Sequence, residues 1–189
     1  MHAPLTDLKH HFLIAMPGMV DSGFSGAMIY LCNHDAEGAM GLVVNRPLDI
    51  PLSTLFEQFD LPCTGERARQ SLLLGGPVQR DWGFVLHSDT SVQWEGTQQI
   101  GLGINMTASR DLIEDLARGE DVPEHCIVIL GYAGWGPGQL EAELLDNAWL
   151  TVPADAALLF EIPVEDRLKQ AAASIGFDWS KLASRAGHA

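Results

Sequence analysis

The chain has 189 residues, 47% of them hydrophobic, and can bury roughly 70% of its unfolded surface as one unit without disulfides or a structural metal. Against 25 acidic side chains stand 11 basic ones, a formal net charge of -14, and the basic residues are scattered singly. That distribution offers no lysine and arginine stripe to neutralise phosphates, which argues against direct nucleic-acid binding, and no apolar run reaches the ~18 residues a membrane-spanning helix needs.

FLIAM (residues 12–16), AMIYLC (27–32) and MGLVV (40–44) are apolar runs of strand length bounded by turn-forming residues. Pro51 then opens a helical pattern that places Leu52, Leu55, Phe56 and Phe59 on one face. SLLL (71–74) and WGFVLH (82–87), separated by a glycine and proline turn, read as an antiparallel hairpin. IGLGINM (100–106) reads as a strand in which Gly101 and Gly103 mark a bulge or a close backbone contact. A helix follows from Ser109, an expected N-cap, through Leu112, Ile113 and Leu116 to Gly119.

CIVIL (126–130), the glycine turn at 131–138, a helix from Pro137 and AWLTV (148–152) read as a β-α-β unit. Its helix is expected to turn Leu140, Leu144 and Leu145 inward and Glu141 and Glu143 toward water. The last long helix, from Pro163, carries Val164, Leu168, Ala171 and Ile175 on one stripe and stops at Gly176. Asp178 then caps a turn bearing Trp179 and Leu182. The reading is one α+β domain over 1–189, a mixed sheet with surrounding helices. Cys32, Cys63 and Cys126 form no C-x-x-C pair, and the N-terminus lacks a secretory pattern, so a cytoplasmic setting with no membrane partner is expected.

Free backbone N–H groups where a glycine turn meets a helix can hold a phosphate or carboxylate, but Gly131, Gly134, Gly136 and Gly138 match no phosphate-loop spacing. The plainer account is that they let Trp135 fold back on the core. Cys32 and His34, two apart on a strand, are expected to share a face, and a Cys–His pair can make a thiolate nucleophile. No third acid stands beside them, and a buried structural cysteine is the plainer account. Cys126 should be inert in its apolar run, and Cys63 the most exposed thiol. His10 and His11 point to opposite faces, His87, His125 and His188 stand apart, and no metal or cofactor is implied. Asn45, Arg46, Ser109, Arg110, Tyr132, Trp135, Gln139, Glu141 and Asn147 are polar or aromatic turn residues. They form a candidate site for a small anionic ligand or a protein partner if the fold gathers them; capping and loop hydrogen bonds are the alternative.

HHFLIAMP, GAMGLVVNRP, LLGGPV, GFVLH, TASRD, LGYAGWGPGQLEAEL, NAWLTVPAD, LLF and the terminal AGHA, in that order, resemble the YqgE/AlgH family of bacterial proteins. The resemblance implies a largely antiparallel, bifurcated sheet surrounded by helices, and it carries over no catalytic residue. The family name refers to a proposed regulatory link to alginate synthesis, which the charge of this chain makes indirect. Asn33 stands where the family pattern commonly has glutamate and Trp82 where it has arginine, and Arg167-Leu168 replaces an R-W pair at a position that reads as packing. The expectation is therefore a non-enzymatic cytoplasmic binding or regulatory protein that does not bind DNA directly. The alternative is a hydrolase or transferase using Cys32 and His34, with the glycine turn at 131–138 as an oxyanion or phosphate cradle.

Overall fold

The computed structural model describes residues 8–17, 19, 23–62 and 66–180, without the side chain of Glu66; Cys63, Leu182, His188 and the AGHA terminus lie outside them. Strands β1 (His11–Ala15), β2 (Met28–Asp35) and β3 (Gly38–Val43) form an antiparallel meander. β4 (Pro47–Pro51), helix α1 (Leu52–Gln58), a 3-10 turn (Glu66–Arg69) and β5 (Ser71–Leu74) follow. Next come β6 (Val78–Ser88), β7 (Gln98–Gly101), β8 (Ile104–Thr107), α2 (Arg110–Arg118) and the long β9 (Cys126–Trp135). The chain continues through α3 (Gln139–Leu145), β10 (Trp149–Pro153), α4 (Ala156–Phe160) and α5 (Arg167–Ser174).

Among the described residues the strands form one forked sheet. Its main path runs β10-β1-β2-β3-β9-β6-β8-β7, and β4 with β5 makes a branch. β9 is the stem. β6 lies along one edge of it, while the other edge is shared by β5, parallel at Ile129 and Leu130, and β3, antiparallel from Ala133 to Trp135. All other pairings are antiparallel, so the sheet is mixed and bifurcated as expected.

Several local expectations are corrected. β5 and β6 form no hairpin: Gly75 and Gly76 carry the chain across β9, and the two strands end on its opposite edges. The reason is close backbone packing. The Gly75 N–H donates to the Leu130 carbonyl at 2.8 Å, and a Cβ at either glycine would strike the backbone of Gly131 or Tyr132. Nor do β9 and β10 flank one another as a β-α-β unit, because β10 pairs with β1 at the far edge. IGLGINM splits into β7 and β8 around a turn at Leu102 and Gly103, both at positive φ, rather than running as one bulged strand. β4 and α4 were not among the expected elements; α4, the apolar run AALLF, is opened by Asp155, whose carboxylate accepts from the Ala157 N–H.

The glycine turn is shorter than its sequence suggests, since β9 runs on to Trp135 and leaves Gly136–Gly138 to turn into α3. Gly131, at φ +73°, sits inside the strand as a phase shift. Before it, Cys126, Val128 and Leu130 face one layer and Ile127 and Ile129 the other. After it, Tyr132 joins the layer of Ile129, whereas Ala133 and Trp135 face a third cluster.

The core accordingly has three parts. One face of the sheet is a single layer under α4 and α5, with Phe12, Tyr30, Leu42, Ile129, Leu159 and Leu168. The opposite face is divided by the fork. On one side α3 covers Leu13, Ile29 and Leu31; on the other α1 and α2 cover Leu72, Val85 and Val128. Fully burying each large apolar side chain contributes about 1.5–3 kcal/mol, and Leu52 and Phe56 of α1 and Leu112 and Leu116 of α2 sit where the sequence periodicity places them. Leu145, at 66% exposed rather than inward, and Ile175, at 39%, are exceptions.

Candidate functional site

β2 carries a bulge of its own. Leu31 pairs with Gly41 and Asn33 with Met40, so Cys32 is the extra residue. A one-residue shift moves every later side chain to the other face. Cys32 packs with Phe12 and Tyr30 in the layer under α4 and α5, while His34 emerges on the α3 side. The two do not share a face, so the expected Cys–His pair is not formed. The Cys32 thiol hydrogen-bonds the Tyr30 carbonyl at 3.6 Å, and burial pushes it up to about 12, far from a thiolate at neutral pH.

His34, 8% exposed, instead belongs to a polar cluster beneath α3. Its Nδ1 accepts the Leu8 N–H at 3.1 Å, which leaves the proton on Nε2 to donate to Glu141 Oε1 at 2.9 Å. Two residues on, a single oxygen of Glu143 accepts the indole N–H groups of Trp135 at 2.9 Å and Trp149 at 2.7 Å. Its second oxygen accepts from Gln139 Nε2 at 2.9 Å, and Gln139 Oε1 accepts the Gly136 N–H at 3.0 Å. Glu143 is thus an internal acceptor and not the solvent-facing group its position suggested. Phe24 stands edge-on to Trp149 at 5.7 Å. The loop bearing it is held by Arg46, which donates to the carbonyls of Gly23 at 2.6 Å and Ser25 at 2.9 Å. Asn45 adds bonds to Gly26 O at 2.9 Å and from the Met28 N–H at 2.8 Å.

The fold therefore draws Asn45, Arg46, Trp135, Gln139 and Glu141 into one region, but it spends their polar atoms on Glu143, His34 and backbone. Tyr132 lies apart, edge-on to Phe84 at 6.0 Å in the opposite layer. Asn147 takes φ +56° and ends the turn after α3. Ser109 and Arg110 open α2 on the far side of the fork. Ser109 occupies the N-cap position without capping; its hydroxyl donates to Asp111, whose carboxylate accepts the Leu112 N–H at 2.8 Å. Arg110 pairs with Glu114 at 2.9 Å and covers the Phe59 ring. Ser109 and Arg110 do not join the α3 cluster.

A different place gathers free charge. Arg67 and Arg69 of the 3-10 turn, Gln70, His125 and Cys126 at the start of β9, and Arg167 of α5 line a cavity of about 560 Å³, with Phe160 and Glu124 at its wall. Arg167 is 5% exposed and donates only to carbonyls, Val44 O at 2.6 Å and Ile162 O at 3.2 Å. Burial lowers its guanidinium to about 10, with Glu165 opposing, so it remains charged at neutral pH. Arg67 donates to Cys126 Sγ at 2.7 Å and to the carbonyls of Pro123 at 2.8 Å and Glu124 at 3.2 Å. No carboxylate of the described residues lies within ion-pair distance of Arg67, Arg69 or Arg167. Cys126 lies buried beside Arg67, and there desolvation raises the thiol while Arg67 pulls the other way.

Residues some 100 positions apart make this cavity, so the sequence shows only scattered basic side chains. One signal was present. Arg167 falls on the apolar stripe of Val164, Leu168 and Ala171, where a cation has to be accounted for. Among the described residues no cluster of three or more His, Cys, Asp or Glu suits a metal ion, and no helix is long and apolar enough to cross a membrane.

Residues 12–180 match the AlgH-like family, and the chain belongs to it. A UPF0301 protein of Saccharophagus degradans is 46% identical over 193 residues, covering 100% of this chain and 94% of that relative. One from Shewanella sp. strain ANA-3 is 49% identical, covering 98% of this chain and 100% of the relative. The solution structure of the AlgH protein from Pseudomonas aeruginosa is similar at a TM-score of 0.80 and 46% identity over 100% of both chains. A crystal structure of a Corynebacterium diphtheriae protein, 18% identical, shares the fold at a TM-score of 0.68 over 90% of this chain and 89% of that one.

Proposed function

We propose that this AlgH-like chain is a non-enzymatic cytoplasmic binding protein. It takes a small anionic ligand in the arginine cavity and acts indirectly, through that ligand or a protein partner, rather than on DNA. The observation that carries the reading is the convergence of Arg67, Arg69 and Arg167, three of 11 basic side chains in a chain of net charge -14, on one cavity where no carboxylate of the described residues pairs with them. A buried cation costs several kcal/mol in desolvation unless something compensates it. Guanidinium groups offer planar, forked donors suited to phosphate or carboxylate oxygens.

Titration with inorganic phosphate, followed by calorimetry at fixed ionic strength, tests the reading. The wild type should bind saturably, and R69A should weaken binding at least about fivefold while leaving the fold unchanged, one charge-assisted contact contributing about 1–2 kcal/mol. Q139A, in the α3 cluster, should bind as the wild type does. Undiminished phosphate binding in an R67A/R69A double variant would remove the cavity from consideration, and loss in Q139A would return the site to the glycine turn.

A further inference from the structure

We propose that a second cavity, between the 89–97 loop and strands β6, β7 and β8, is a binding site for a small primary ammonium ion. The inference is independent of the arginine cavity. The described residues bury five polar side chains, His34, His87, Asn105, Thr107 and Arg167, and three of them, His87, Asn105 and Thr107, stand in this one place. A cavity of about 200 Å³ opens against His87 and Asn105, lined also by Asp89, Gln93 and Thr97, with Thr107 behind it. Concentrated buried polarity is costly unless hydrogen bonds or a ligand satisfy it.

The direction of each hydrogen bond follows from one carbonyl. His87 Nδ1 lies 2.9 Å from the Ser88 carbonyl, which can only accept, so Nδ1 carries the proton. Burial lowers the His87 pKa and keeps the ring neutral, leaving Nε2 as an acceptor. The Thr107 hydroxyl, 2.9 Å from Nε2, must then donate to it, and its oxygen accepts from the Thr97 hydroxyl at 2.7 Å. Thr97 has spent its hydrogen inward, and the lone pairs of its oxygen serve the cavity. In the same cavity Asn105 Nδ2 donates to Asp89 Oδ1 at 2.7 Å, which fixes that carboxylate at the cavity wall. A hydroxyl committed to accepting and an oriented carboxylate lining the same cavity recognise a group that carries positive charge and several N–H donors at one atom. That is the chemistry of R–NH3+, and neither a neutral alcohol nor an N–H-free quaternary ammonium matches it.

The test is an NMR titration of the full chain with n-propylammonium chloride at constant ionic strength, with 1-propanol and tetramethylammonium chloride in parallel. Saturable shifts are expected at the Thr97 amide and the Asn105 side-chain amide, with both control compounds at least tenfold weaker. D89N, a change at an exposed carboxylate, should weaken propylammonium about tenfold. T97V should weaken it several-fold and T97S should restore it, and R69A should leave it unchanged. The proposal fails if propylammonium shows no saturable binding, if D89N and T97V both bind as the wild type does, or if tetramethylammonium binds equally well.

Discussion

Two polar regions of this molecule, the α3 cluster and the arginine cavity, differ in how completely they satisfy themselves. Under α3, each of the two indoles and the Gln139 amide finds an oxygen of Glu143, and His34 finds Glu141. At the arginine cavity, the cations reach only carbonyls and a thiol. The first arrangement ties β9, α3 and β10 together and has little left to offer a ligand. Among the described residues, the second leaves three guanidinium groups at a cavity wall without an ion-paired carboxylate. The comparison teaches that a sequence rich in turn motifs points to where a fold is fastened, whereas a binding site is better sought where polar groups lack their natural partners.

Removing Glu143 should break the closed region most severely. E143A strands two buried indole donors and is expected to cost about 3 kcal/mol in urea unfolding, with E143Q costing about half of that. A loss no larger than that of a surface substitution would show that the cluster does not fasten β10. R167M tests the open region. Two carbonyls lose their donor but a buried charge is relieved, so the net cost should be smaller, about 2 kcal/mol. Phosphate should stabilise the wild type against heat and fail to stabilise this variant; equal stabilisation of both would erase the distinction between the regions.

The His34–Glu141 pair sharpens the comparison through pH. The Glu141 carboxyl lies below its ordinary value, held there first by its own backbone N–H and then by His34. A depressed carboxyl stabilises the fold fully above the ordinary glutamate range, and that contribution is lost as pH falls through the lowered value. The stability difference between wild type and E141Q should therefore be about 0.5 kcal/mol near pH 6, small because solvent screens the carboxylate, and should vanish below the glutamate range. The smallest expected effect is at Cys32. With its thiol pushed up to about 12, it should resist iodoacetamide at pH 8 until the protein unfolds. Rapid native-state labelling at that residue would revive the thiolate reading.

Much of the fold was legible in the sequence because its signals are local. Period-two and period-3.6 apolar spacing placed α1, α2 and most of the strands, and Gly119, at φ +73°, ends α2 as its position predicts. Partner choice was not legible. Gly-Gly-Pro between SLLL and WGFVLH carries the same letters whether it closes a hairpin or crosses a third strand, and only the close approach of Gly75 and Gly76 to β9 decides it. The candidate site divided along the same line. Asn45, Arg46, Trp135 and Gln139 were found as polar or aromatic turn residues, but what their atoms bond to is set by elements distant in sequence.

By itself, then, the sequence determined the class of fold, the buried faces of α1 and α2, the family and the acidic surface, since each depends on composition or on spacing within a few residues. The tertiary structure alone decided the fork at β9, the separation of Cys32 from His34 by a one-residue bulge, and the meeting of Arg67 and Arg69 with Arg167. Those outcomes turn on backbone register and on contacts across 100 residues of chain. A single inserted residue reverses a strand's faces there while the local pattern of letters stays as it was.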